Sequence, residues 1–310
     1  MTPTAKGPGV LRVVVAGGEA AGQRVLRSVA ATHDVVGVFA GSGPAGAPVR
    51  AEAERLGLPV LEAKRVKDAT VPVEVGAIDL FLNVHNLYVV TPELLTWPRL
   101  GAYNVHPGWL PDFAGRNCPS WAVWMGEPEP GVTVHLMHPD VDRGPVAFQE
   151  RFPAGDAPTG GSVAIECAKR GIRLVDQLVA GLLAGDLELE EQDTSKFRYF
   201  GREVPNDGVL DFTHSAADVE RFVRACDYGP FHSPWGVPRT WGGGHEIGVR
   251  RAVATDQDAD RRPGTIRHGP DGVEVACADT WLELRAVTLD GVPTDPAAAL
   301  SGISRLGEGE

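Results

Sequence analysis

The sequence predicts an α/β protein, an open and mostly parallel sheet followed by a smaller, β-rich, barrel-like domain. Three patterns predict it. Short β-branched runs alternate with amphipathic helical spacing through the first half of the 310-residue chain, the signature of βαβ units. A long amphipathic stretch, Gly160–Gly185, then closes that half. From Thr240 onward only short strands and turns remain.

The elements follow in order. Leu11–Ala16 (LRVVVA) is a short apolar run that stops at Gly17-Gly18, as a buried parallel strand does. Ala20–Thr32 has helical spacing, with Val25, Leu26 and Val29 apolar and Gln23, Arg24 and Arg27 polar. Val35–Ala40 is a second strand, and Val49–Leu56 a second helix ended by Gly57. Pro59–Leu61 and Leu80–Val84 are the next strands, which gives a Rossmann-like sheet whose ligands bind at the carboxyl ends of its strands. Ala102–His106 is a strand that ends with Asn104 and His106 on one face, because side chains alternate with period two. Pro107 and Pro111 prevent its continuation and force an extended loop. Trp121–Met125 is helical and is closed by Gly126. Gly131–Met137 alternates Val132, Val134 and Leu136 against Thr133, His135 and Met137, so one buried face is expected. A polar loop, His138–Gly144, leads to a strand at Pro145–Arg151. After the long helix come a short one at Ala217–Ala225, a turn-rich loop at Asp227–Arg239, and strands at Glu246–Val249, Gly264–Arg267, Val273–Cys277 and Trp281–Val287.

Composition excludes several classes. The chain carries 41 acidic against 29 basic side chains, net -12, and its lysines are only Lys6, Lys64, Lys67, Lys169 and Lys196. That balance opposes non-specific phosphate-backbone binding. Cys118, Cys167, Cys226 and Cys277 form no CxxC pair, so they read as free thiols rather than a disulfide frame or zinc site. The opening MTPTAKGPG has no apolar signal core, and no run of about 18 apolar residues occurs, so a cytoplasmic location without membrane contact is expected. The first turn fails the G-x-G-x-x-G pattern, since Glu19 and Ala20 stand where glycines would be needed. A carboxylate there would also repel a pyrophosphate. His135, His138, Asp140 and Asp142 have ligand chemistry for zinc or iron, but the two histidines are three apart and alternation puts them on opposite faces, so no metal is expected.

The stretch from Tyr103 to Val146 concentrates the chemistry. Asn104 can hold a carbonyl oxygen and stabilise the oxyanion of a tetrahedral intermediate. His106 can share that oxyanion or move a proton, and Asp142, if its loop folds back, can set the imidazole tautomer. No Ser or Cys stands in a nucleophile-elbow context, so direct acyl transfer to an amine is the simplest mechanism. An Asn and a His ending a strand also serve as caps and core hydrogen bonds, and spacing alone does not separate the two uses.

Asn104-Val105-His106-Pro107-Gly108-Trp109-Leu110-Pro111-Asp112-Phe113-Ala114-Gly115, followed by Trp121-Ala122, Gly131-Val132-Thr133 and Asp142-Arg143-Gly144, resembles the formyltransferases that use 10-formyl-tetrahydrofolate. Gly108-Trp109, Ala114 and the late Pro119 depart from the family pattern on the acceptor side. The resemblance implies the formyltransferase fold, with residues 1–195 as catalytic domain and 196–310 as linker and C-terminal substrate-side domain. It implies Asn104, His106 and Asp142 as the catalytic trio. The main chain around Leu87–Val89 and the Asp140-Val141-Asp142 loop would hold the pterin, with His85 and Tyr88 lining its pocket. Trp109, Phe113, Arg116 and His135 would face the acceptor.

The acceptor expected is a small-molecule amine, first N-hydroxyornithine or a similar siderophore building block, then an amino-sugar nucleotide. Arg116, Arg143 and Arg202 could meet a diphosphate in the latter. Methionyl-tRNA is disfavoured because Pro205–Glu310 holds 10 Arg and no Lys against 17 Asp and Glu, net -7. A hydrolase releasing formate from the same donor and a catalytically silent folate-binding protein complete the alternatives, and a homodimer stays open.

Overall fold

The structure, a computed structural model, describes residues 9–269 and 272–307, so most of the opening MTPTAKGPG lies outside the described residues. The chain forms two compact units. The first comprises Met1–Gly115, Gly131–Phe152 and Glu166–Tyr199, and the second Arg116–Pro130, Pro153–Ile165 and Phe200–Glu310.

In the first unit the strands are β1 (Arg12–Gly17), β2 (Asp34–Phe39), β3 (Val60–Leu61), β4 (Leu80–Val84), β5 (Ala102–His106), the two-residue β6 (Ala114–Gly115), β7 (Gly131–Leu136) and β8 (Val146–Arg151). Seven of them form one sheet in the order β3-β2-β1-β4-β5-β7-β8. The first five are parallel, while β7 runs antiparallel to β5 and β8 antiparallel to β7. The parallel, α/β character follows from the βαβ alternation. The antiparallel edge is possible because β5 returns through β7 without a crossover helix on the sheet face.

The helices of this unit are α1 (Glu19–Thr32), α2 (Ala47–Arg55), α3 (Val71–Val75) and α4 (Pro92–Leu95). On one face of the sheet Val14, Ala16, Phe39, Phe81 and Ala102 pack with Val66, Val71, Val90 and Leu94. Each large side chain fully buried in this way contributes roughly 1.5–3 kcal/mol. The glycine turn after β1 serves packing: a Cβ on Gly22 would lie 3.1 Å from Gly17 Cα and 3.1 Å from a Val49 methyl. Gly18 N–H donates to Val84 O at 3.0 Å, and Glu19 reaches His85 with Oε2–Nδ1 2.9 Å. The crevice between β1 and β4, where the strand order reverses, thus holds a carboxylate–imidazole pair and not a phosphate cradle.

Helix α5 (Cys118–Trp124) belongs to the second unit, and α6 (Gly160–Ala184) belongs to the first from Glu166 on. Within the first unit α6 lies against the back of β5 and β7. Cys167 Sγ–H reaches Gly131 O at 3.4 Å, and a Cβ on Gly171 would stand 2.7 Å from Val105 Cγ1.

In the second unit α5 starts three residues before Trp121, because Pro119 sits in its first turn, where a missing N–H costs nothing. Trp124 meets Phe222 of α7 (Ala216–Cys226) edge-on at 5.3 Å. After the two-residue β9 (Tyr199–Phe200), the strands are β10 (Arg239–Gly242), β11 (His245–Asp258), β12 (Ile266–Gly269), β13 (Gly272–Ala276), β14 (Thr280–Leu289) and β15 (Val292–Thr294), with α8 (Pro296–Ala299) following. They make an antiparallel sheet, β10-β11-β14-β13-β12, with β15 on β14.

The barrel expectation needs correction here, since among the described residues no strand closes this sheet. Its open edges are instead bridged by the tail. Ser304 O accepts from Ile266 N–H and Leu306 N–H donates to Gly264 O, while Gly307 N–H donates to Trp241 O. Edge donors and acceptors are thereby used without barrel closure. Strand β11 also runs far past the expected Val249, because register shifts after Val249 and Arg251 reset the alternation that marks a strand in sequence.

Gly171→Ala should therefore destabilise the protein by about 1–3 kcal/mol, since β-branched Val105 cannot swing aside without moving β5. Thermal denaturation of the variant beside the wild type measures this, and an unchanged Tm would refute the packing argument.

Candidate functional site

Strand register brings the candidate residues together. Asn83 of β4 stands opposite Asn104 of β5, and Asn104 stands opposite His135 of β7. His106 stands opposite Thr133. Period-two alternation puts all five on the face that carries Phe81 and Ala102, so an apolar sheet surface ends in a polar row.

The one-buried-face expectation for Gly131–Met137 is corrected: Thr133 (0% exposed) and His135 (2%) are as buried as Val132 and Val134, which alternate with them. The loop after β5 covers that polar face. Thr133 Oγ1–H donates to Gly108 O at 2.8 Å and accepts from Leu110 N–H at 3.2 Å, while Gln149 Nε2 donates to Leu110 O at 2.8 Å.

Within the row Asn83 Nδ2 donates to Asn104 Oδ1 at 2.8 Å, and Asn104 Nδ2 lies 3.2 Å from His135 Nε2. His135 Nδ1 lies 3.0 Å from Leu136 O. His106 Nε2 lies 2.6 Å from Phe113 O, so that nitrogen donates, and Nδ1 faces Asp142 Oδ2 at 3.6 Å. Asp142 Oδ1 lies 3.5 Å from His135 Nε2, and Oδ2 accepts from Gly115 N–H at 2.8 Å. The loop that carries Asp142 folds back through a left-handed residue, Asp142 itself at φ 57°. Gln192 holds it there, donating from Nε2 to the carbonyls of Asp142 (2.9 Å) and Gly144 (2.7 Å).

The electrostatics follow from burial. Burial would raise the Asp142 carboxyl. The attraction of His106, the contact with His135 and the Gly115 N–H outweigh it and hold the group down at about 2. Burial also pushes the His106 imidazole below its ordinary range, against the opposing pull of Asp142 and the Phe113 carbonyl. At neutral pH the site therefore pairs an ionised carboxylate with a neutral imidazole able to take a proton. Burial also pushes the thiols of Cys167, Cys226 and Cys277 up to about 12, which disfavours their thiolate forms.

The other sequence candidates have different positions. His85, at φ 54°, follows β4 and pairs with Glu19. Leu87, Tyr88, Val89 and Val141 are exposed apolar side chains at 67%, 39%, 60% and 40%. The Tyr88 carbonyl accepts from Asn86 Nδ2, and the Tyr88 ring lies beneath Lys67 Nζ. Asp140 is exposed and its N–H donates to His138 Nδ1. Trp109 packs on Gly131, on the face that carries Thr133, with the Arg151 guanidinium 4.3 Å above its ring. Phe113 is buried beneath Arg198, and its carbonyl meets His106 Nε2. Arg116 belongs to the second unit and has an exposed side chain.

Asn83 and Gln192 are the polar contributors that motif spacing misses. Only Asn83 left a trace, as one amide in an otherwise apolar strand. Among the described residues no group of three or more His, Cys, Asp or Glu could hold a metal ion, and no helix is long and apolar enough to cross a membrane.

Comparison with known proteins places this geometry. Residues 11–174 match the model of the formyl transferase family, and residues 204–302 match its C-terminal domain model. The methionyl-tRNA formyltransferase of Pseudomonas fluorescens (strain SBW25) is 33% identical over 293 residues, covering 91% of this chain and 90% of its own. That of Roseiflexus sp. (strain RS-1) is 30% identical, covering 96% of each. Among solved structures, the N-formyltransferase of Helicobacter canadensis in complex with folinic acid and dTDP-3-aminofucose shares the fold. Its TM-score is 0.66 at 13% identity, over 89% of this chain and 99% of its own. HypX from Aquifex aeolicus with tetrahydrofolic acid has a TM-score of 0.62 at 15% identity, over 95% of this chain and 48% of its own.

The buried pair makes a direct prediction. NMR titration of the His106 ring should give a pKa below the ordinary imidazole range, and Asp142→Asn should lower it further by removing the charge that favours imidazolium. Asp142 itself contributes stability that is complete above its ordinary 3.8 and lost as the pH falls through about 2. A His106 pKa that rises in Asp142→Asn would contradict this arrangement.

Proposed function

Because the chain belongs to the formyl transferase family through both its catalytic and its C-terminal parts, we propose that it moves the formyl group of 10-formyl-tetrahydrofolate onto an amine. The observation that carries this reading is the constellation of half-buried Asn104 with buried His106 and Asp142 at the carboxyl end of β5.

The chemistry balances with those groups. The lone pair of a neutral amine attacks the formyl carbon and forms the new C–N bond, while negative charge collects on the formyl oxygen. The Asn104 amide donates to that oxygen, an interaction stronger in the transition state than in the ground state. In this geometry His106 Nε2–H is engaged by Phe113 O, so the imidazole serves in proton transfer through Nδ1, beside Asp142. The His106–Asp142 pair takes the amine proton. Collapse then breaks the bond between the formyl carbon and N10, and N10 receives a proton. The exposed apolar side chains Leu87, Val89 and Val141 support the donor reading, since a planar ring can cover them.

For the acceptor, similarity to methionyl-tRNA formyltransferases over nine-tenths of the chain, C-terminal part included, favours the amine of initiator methionyl-tRNA. A second reading, a small amine such as N-hydroxyornithine or an amino-sugar nucleotide, is favoured by one observation. Pro205–Glu310 has a net charge of -7 and no lysine, which opposes a grip on phosphates.

Formation of tetrahydrofolate should require an amine, tested with methionyl-tRNA, N-hydroxyornithine, ornithine and amino-sugar nucleotides. Turnover with methionyl-tRNA alone selects the first acceptor, and turnover with one small amine selects the second. Equal turnover without any amine would make the protein a hydrolase. Asn104→Ala should lower kcat by about 10²–10³-fold, as loss of an oxyanion donor does. Wild-type rates in Asn104→Ala, His106→Ala and Asp142→Ala together would refute the mechanism.

A further inference from the structure

We propose that Asn83 is a positioning residue for formyl transfer: its amide fixes the direction of the Asn104 amide, and its own oxygen receives an N–H of a bound substrate. The proposal deepens the formyl-transfer reading and rests on it.

The direction of the polar row can be derived link by link. A backbone carbonyl only accepts, so Leu136 O, 3.0 Å from His135 Nδ1, places the ring proton on that nitrogen. In the neutral ring Nε2 then carries a lone pair and accepts from Asn104 Nδ2 at 3.2 Å. Asn104 is thereby turned with Oδ1 toward β4, where Asn83 Nδ2 donates to it at 2.8 Å. A second proton on His135, which Asp142 Oδ1 at 3.5 Å would attract, breaks this order, so the direction belongs to the neutral ring.

Each link leaves the next one orientation, and the row ends in an acceptor. Asn83 Oδ1 is buried without a hydrogen-bond partner among the described residues, in a side chain 8% exposed. Its strand neighbours Leu80, Phe81, Leu82 and Val84 are all 0% exposed. An apolar side chain at this position would leave no acceptor to satisfy, so the amide costs stability that packing does not require.

The functional return is orientation. Asn104 Nδ2 carries two hydrogens, one directed at His135 and one available to the formyl oxygen. A reversed amide would present Oδ1 to the developing negative charge. The orphan acceptor matches an N–H donor, which either the attacking amine or the folate ring can supply.

Two variants test this. Asn83→Asp keeps the shape but offers no N–H, so Asn104 turns over to donate to the carboxylate, and kcat should fall by about 10²–10³-fold. Asn83→Leu leaves Asn104 directed by His135 alone, and kcat should fall on the order of 10-fold, as loss of one hydrogen bond does. A rise in KM for the amine alone identifies the amine as the N–H source. Weaker binding of tetrahydrofolate, read by fluorescence, identifies the folate instead.

Wild-type kcat and KM in both variants would overturn the proposal while leaving formyl transfer intact. Should the wild type transfer formyl to no amine, the functional reading fails by itself. The direction is then still decided by NMR, through a coupling across the hydrogen bond between Asn104 Nδ2–H and His135 Nε2. That coupling should be present in the wild type and lost in Asn83→Asp, and its absence from the wild type would overturn the assignment.

Discussion

Keeping an ionised carboxylate out of water is the constraint on which the first unit's site depends. Asp142 is 6% exposed, and an unpaired charge at that depth would cost several kcal/mol. The Gly115 N–H donates to it, and two imidazoles stand beside it where either can take up a proton, each group coming from a different element. His106 comes from β5, His135 from β7 and the N–H from Gly115. The antiparallel return of β7 on β5 is therefore more than an edge decoration. Without its register the carboxylate would meet one imidazole, not two. The left-handed turn at Asp142 and the two bonds from Gln192 are what it takes to hold the carboxylate there.

The same constraint explains the buried polar row. Amides and imidazoles inside a sheet core weaken it unless each is satisfied. Asn83, Asn104 and His135 satisfy one another in sequence across three strands, and the chain of bonds ends on a main-chain carbonyl at one side only. Close packing on the opposite face, where Gly171 admits Val105, holds β5 in the position that this row requires.

Two physical arguments bear on the acceptor, and they act at different levels. Similarity along the whole chain reports common descent of scaffold and chemistry. Charge reports what the C-terminal surface can hold in its present form, and 17 acidic residues against 10 arginines form a poor surface for a polyanion. The loop Gly108–Ala114 departs from the family pattern, whereas Asn104, His106 and Asp142 keep it.

By itself the sequence determined the α/β alternation, the strands at Leu80–Val84 and Ala102–His106, and the three residues, Asn104, His106 and Asp142, that the fold brings together. These are legible because strand alternation and the prolines after His106 are local, and because the motif spans contiguous residues. Only the tertiary structure decided that Thr133 and His135 are buried, that the Phe113 carbonyl meets His106, and that Trp109 packs on Gly131 beneath Arg151. It alone joined Asn83 to Asn104 and Gln192 to the Asp142 loop, and it showed the C-terminal sheet bridged by its tail without closure. The reason is the same in each case. These features depend on register between strands distant in sequence and on what covers a face, and neither leaves a periodic signal in the residues themselves.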